Sequence, residues 1–131
     1  MFNKQKSLFK YNHSNKGFIT RKKYNQSLKG KLNQKRYLRR LKIRILTHYG
    51  KNRHCLCCWP GCRITDDDML SIDHIKDNGS QMRKNGEQPK SSGGFYHWLL
   101  KNKFPKGFQT LCWNHQWKKR LIMLRKLARL I

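Results

Sequence analysis

Apolar and polar positions change rhythm several times along this chain, and each change predicts an element. From about Leu32 the apolar residues fall at helical spacing: Leu38, Leu41, Ile45 and Tyr49 share one face, and Gly50 is a natural stop. Arg36, Arg39, Arg40, Lys42 and Arg44 occupy the outer faces, so the pattern predicts an amphipathic helix packed on a domain. Leu70 to Ile75 predicts a short strand, and Phe108 to Leu111 a second one after the turn Pro105-Lys106-Gly107. Between them, residues 76–94 read as a long polar loop, followed by a short helix over Phe95 to Asn102. A last helix is expected from about Asn114 to the end. Its stripe is Trp117, Leu121, Leu124, Ala128 and Ile131, at alternating steps of four and three. The pattern predicts an α+β protein: a basic, partly helical arm over residues 1–50, and a domain with a C-terminal helix over residues 51–131.

The arm carries an internal repeat. Tyr11-Asn12-His13-Ser14-Asn15-Lys16-Gly17 is followed 13 residues later by Tyr24-Asn25-Gln26-Ser27-Leu28-Lys29-Gly30, and Tyr37 falls on the same phase. Ser14 and Ser27 suit helix N-caps. A glycine costs about 1 kcal/mol in a helix interior, so each unit reads as at best a short, weak helix. The whole reads as an extended arm that orders on its partner.

Charge says what that partner is. The chain has 31 Lys plus Arg against 6 Asp plus Glu, a formal charge of +25. Residues 1–50 hold 15 of the basic residues and no carboxylate. Such a segment repels itself, and a polyanion relieves the repulsion by releasing counterions. Aromatic rings interleaved with the charge, able to stack on bases, point to nucleic acid rather than a membrane surface. The expected contacts are Arg21, Lys22, Lys23, Lys35, Arg36, Arg39, Arg40, Lys84, Lys118 and Lys119. No run reaches the roughly 20 apolar residues of a membrane span, and Met1 to Lys10 lacks the apolar core of a signal peptide.

Five cysteines, an odd number, favour metal ligation over disulfides in a reducing, intracellular compartment. Cys55 and Cys58 are three apart, as are Cys112 and His115, the spacing with which each pair grips one zinc ion. Cys57 in place of Cys58, or Cys58 with Cys62, are competing choices; the matching three-residue step favours Cys55 and Cys58. Three thiolates and one imidazole leave no open position, so this zinc would be structural. Asp66-Asp67-Asp68 reads as an exposed acidic turn.

Between the two ligand pairs lies Asp73-His74, at the end of the strand. Phosphodiester hydrolysis needs an activated water and a cation for the developing charge. A neutral His on an anchored strand can be the base, and an adjacent Asp can hold a hard cation such as Mg²⁺ or Mn²⁺ through oxygen. Gln116, at the start of the last helix, is the expected further ligand.

The stretch from Tyr49 to Arg120 resembles the HNH endonucleases, especially the small phage and intron-associated kind. The resemblance rests on Tyr49-Gly50, Cys55-x-x-Cys58, Leu70-Ser71-Ile72-Asp73-His74-Ile75, Tyr96-His97-Trp98-Leu99 and Phe104 to Cys112. It implies a zinc-stabilised ββα-metal fold and DNA cleavage or nicking, with His74 as general base and Asp73 as metal ligand. The family's middle Asn falls at Gly107 and its final His or Asn ligand at Gln116. A second expectation follows from the charge density, which resembles that of ribosomal proteins: a catalytically degenerate HNH-fold zinc protein bound to rRNA, as in an organellar ribosome.

Overall fold

The computed structural model describes residues 2–131, the side chains from Asn3 onward. The elements run α1 (Phe2–Asn12), α2 (Asn15–Gln26), α3 (Leu28–Tyr49), a short 3₁₀ turn (Lys51–Arg53), β1 (Leu70–His74), α4 (Gly79–Lys84), α5 (Ser92–Lys101), β2 (Phe108–Cys112) and α6 (Trp113–Ala128). The chain divides into two compact units, one ending at Arg39 and one spanning Arg40–Ile131. The division falls inside α3 because Leu41, Ile45 and Leu46, on its C-terminal half, are buried in the second unit's core. The architecture is α+β, with one two-stranded antiparallel sheet among the described residues.

The first unit is helical where an extended arm was expected, and its repeat explains why. The Ser14 hydroxyl accepts the Gly17 N–H at 3.1 Å and donates to the Tyr11 carbonyl at 2.6 Å. Ser27 does the same with Gly30 and Tyr24. One serine thus caps the helix it starts and satisfies a carbonyl of the helix before it. The glycines permit a close crossing: a Cβ on Gly17 or Gly30 would stand 2.0 Å from the carbonyl oxygen of Tyr11 or Tyr24. The tyrosines also match, Tyr11 donating to Thr20 and Tyr24 accepting from Asn33, each nine residues on. The repeat therefore encodes a helix-to-helix corner, and its glycine sits at the crossing rather than weakening a helix interior.

In the second unit, β1 and β2 pair from Leu70 opposite Cys112 to His74 opposite Phe108. Two clusters form the core. Leu46, Cys57, Leu70, Leu111 and Cys112 make one; Leu41, Ile45, Leu99 and Phe108 make the other, and Ile72 touches both. Side-chain hydrogen bonds fasten α3 to the sheet region. The fully buried Thr110 hydroxyl donates to the Leu46 carbonyl at 2.8 Å. The Tyr49 hydroxyl, its pKa pushed up to about 12 by burial, donates to the Pro105 carbonyl at 2.6 Å. The expected loop over residues 76–94 contains α4, and α5 starts earlier than expected, at Ser92, where Ser91 caps it by accepting the Gly94 N–H.

Thr110→Val removes the fully buried hydroxyl that reaches the Leu46 carbonyl. It should cost about 1–3 kcal/mol in urea unfolding of the full chain. Thr65→Val, at an exposed position, should stay within about 0.5 kcal/mol.

Candidate functional site

Two constellations stand out in the second unit: a Cys/His cluster and the region around Asp73-His74.

The cluster is Cys57, Cys62, Cys112 and His115, whose ligand atoms all lie within 4.8 Å of one another. Cys112 Sγ is 3.1 Å and Cys57 Sγ 3.7 Å from His115 Nδ1, and Cys62 and Cys112 sulfurs are 4.0 Å apart. A tetrahedral zinc with bonds near 2.3 Å to sulfur sets ligands about 3.8 Å apart, so these residues fit the ion. This corrects the ligand pair expected from spacing. Cys112 and His115 are as expected, but Cys55 and Cys58 lie outside the cluster. The reason is local. Cys57 and Cys62 flank the turn Trp59-Pro60-Gly61, closed by the Cys62 N–H on the Trp59 carbonyl at 3.0 Å, so the turn returns one thiol beside the other. Cys58 is turned away from the cluster, and its thiol donates to the Tyr49 carbonyl at 3.2 Å. Cys55 is half-buried beside Asp67 and Lys42, its pKa raised by burial and then by the Asp67 charge. The Pro-Gly turn was the signal that selected Cys57 and Cys62, and the three-residue step masked it.

The cluster's electrostatics suit metal capture. Burial pushes the Cys57 thiol up to about 11, against the pull of the Cys112 and Trp59 N–H groups. Burial also opposes the Cys62 thiolate, yet the Ile64 N–H and the Cys57 and Cys112 thiols donate to it and bring it below its usual value. A metal would meet one thiolate already favoured and expel the proton of Cys57, so affinity falls as pH falls. His115 is held by Trp59, whose ring stacks on it at 4.8 Å and 9°.

Asp73 and His74 end β1 at the wall of a cleft of about 740 Å³, which α4, the 88–92 segment, α5 and α6 complete. Asp73 Oδ2 accepts from Lys119 Nζ at 2.6 Å and from Gln109, its cross-strand neighbour, at 2.8 Å. Lys119 also donates to the His74 carbonyl. Its side chain is only 16% exposed, so Lys119 is an internal partner of Asp73 rather than the surface contact expected of it. The Gln116 amide donates to the Ser71 hydroxyl. Asp73 and Gln116 therefore do not fit a shared divalent cation as they stand: one carboxylate oxygen carries an ammonium, and the Gln116 amide is turned to Ser71. His74 Nε2 lies 2.7 Å from the Oε1 of Gln88, a residue that sequence reasoning did not single out. Gly107, in the turn before β2, has no side chain to offer the site. Arg83, Lys90 and Arg120 line the cleft with Asp77. Of the expected nucleic-acid contacts, Arg21, Lys22, Lys23, Lys35, Arg36, Arg39 and Arg40 are exposed in the helical segment up to Arg40, and Lys84 and Lys118 are exposed on α4 and α6.

No family model matches the chain, and neither any curated protein nor any solved structure does. Among the described residues, no helix is long and apolar enough to cross a membrane.

Metal analysis of reduced, zinc-loaded protein separates the two ligand sets. Cys57→Ser and Cys62→Ser should lose the bound ion, while Cys55→Ser and Cys58→Ser should retain about one zinc per chain. The opposite pattern would restore the pairing read from spacing.

Proposed function

We propose that the chain binds nucleic acid and that its second unit is an HNH-type endonuclease centre acting on DNA. The observation that carries this reading is the position of His74: an imidazole at a strand end, beside Asp73, on the wall of a cleft lined by Arg83, Lys90 and Arg120. His74 takes a proton from water, and the O–H bond breaks as the N–H bond forms. The hydroxide oxygen then attacks phosphorus, the bond to the leaving sugar oxygen breaks, and that oxygen takes a proton from solvent. The cleft's guanidinium and ammonium groups attract the phosphate and offset its growing charge. A structural zinc on Cys57, Cys62, Cys112 and His115 would hold the cysteine knuckle against the end of β2 and the start of α6. No step is assigned to a Mg²⁺ or Mn²⁺ ion, because Asp73 and Gln116 do not fit one as arranged.

A second reading, binding to rRNA or other nucleic acid without cleavage, is favoured by the engagement of Asp73 with Lys119 and of Gln116 with Ser71. A plasmid-nicking assay in buffers with and without Mg²⁺ or Mn²⁺ decides between them. Wild type should nick, and His74→Ala should be slower by about 10²–10⁴-fold. Equal rates would remove His74 as the base, and absence of nicking by wild type would leave the binding reading.

The basic arm has its own measurement. Replacing Lys22, Lys23, Lys35 and Arg36 together by Gln should lower the slope of log K against log salt by about 0.9 for each phosphate that is no longer neutralised. An unchanged slope would mean that other residues neutralise the phosphates.

A further inference from the structure

Gln88 lies in the stretch expected to be a polar loop, yet it is 5% exposed; with Thr110 it is one of two buried polar residues among those described. Burying a primary amide is costly unless it is hydrogen-bonded. Its oxygen lies 2.7 Å from His74 Nε2. An amide oxygen has no proton to give, so Nε2 must carry one, and in a neutral imidazole the lone pair is then on Nδ1.

The rest of the ring's surroundings agree. A Cβ built on Gly79 would stand 2.7 Å from both Nδ1 and Cε1 and 3.2 Å from Cγ. Short, nearly equal distances to three successive ring atoms belong to a point above the ring's face, not beyond its edge. Gly79 thus lets backbone pass over one face, where any side chain would displace the ring. Phe95 stacks at 5.7 Å and Phe108 meets the ring at 4.9 Å and 67°. Among the described residues, none hydrogen-bonds Nδ1.

We infer that Gln88 is a positioning residue that locks His74 in the Nε2–H tautomer, leaving the Nδ1 lone pair as the atom that accepts a proton in the cleft. The inference deepens the nuclease reading and rests on it for its consequence in catalysis; the tautomer lock stands or falls separately. Gln88 touches no reacting atom. It acts through His74, from 14 residues further along the chain.

The test reads the ring directly. The protein is labelled with ¹⁵N and studied zinc-loaded at about pH 8.5, above the ordinary imidazole range. Two-bond ¹H–¹⁵N correlations should show His74 with Nε2 protonated and Nδ1 bare. Gln88→Met, close in shape but without the acceptor, should mix the two tautomers and lower the nicking kcat about tenfold or more with KM unchanged. Gln88→Glu keeps an acceptor oxygen, so it should keep the wild-type tautomer and restore most of the rate. A wild-type ring protonated at Nδ1, or a wild-type ring spectrum in Gln88→Met, overturns the proposal. Should Gln88→Met not fold, the wild-type and Gln88→Glu spectra decide. If wild type does not nick, the nuclease reading fails, and the ring spectrum still upholds or overturns the lock.

Discussion

Four soft ligand groups from three stretches of the chain meet at one point. Cys57 and Cys62 come from a knuckle without regular secondary structure, Cys112 ends β2 and His115 lies in the first turn of α6. Two of these residues, Cys57 and Cys112, are also members of the first hydrophobic cluster, so the candidate metal site and the core are one piece of structure. Structural zinc sites contribute about 10–16 kcal/mol of apparent binding free energy, while whole domains are stable by about 5–15 kcal/mol. A zinc held by the cluster would add a contribution of that size to a two-stranded sheet with two small clusters, in a chain of formal charge +25. The cluster lies at one end of the strand pair whose other end carries Asp73 and His74.

Near that second end, fold and chemistry compete for the same groups. The chain has 6 carboxylates, and Asp73 is engaged by Lys119 and Gln109. The ion pair ties α6 to β1 and, through the His74 carbonyl, steadies the residue proposed as base. Breaking a largely buried pair by removing one partner is strongly destabilising, because the other charge is left without compensation. That geometry leaves Asp73 with Lys119 and Gln116 with Ser71 beside a cleft lined by Arg83, Lys90 and Arg120.

The N-terminal unit follows a different logic. Its order comes from a local rule written twice: a tyrosine whose carbonyl takes the serine's hydroxyl, a serine that caps the next helix, and a glycine that lets the chain cross close to that carbonyl. Phe18, Ile19 and Leu28 remain exposed. The segment has no carboxylate, and its Lys and Arg side chains stay at the surface.

Local spacing carried a good deal of this protein. The helix ending at Tyr49, both strands, the C-terminal helix, the Cys112-His115 half of the metal site and the juxtaposition of Asp73 and His74 were legible because each depends on residues within a few positions of one another. The other half of the metal site was not. Cys55, Cys57, Cys58 and Cys62 are chemically equivalent as ligands, and the Trp59-Pro60-Gly61 turn brings the Cys62 sulfur back to Cys57. Gln88 was silent in sequence, since an amide in a polar stretch looks like any other until folding buries it against His74. Lys119 read as surface charge because proximity to Asp73 exists only once α6 lies against β1. Ligand types, charge and element pattern were properties of the sequence itself. Which thiols converge, which lysine is internal and which residue faces His74 Nε2 were decided by tertiary structure, because burial and partner choice belong to contacts between segments remote in the chain.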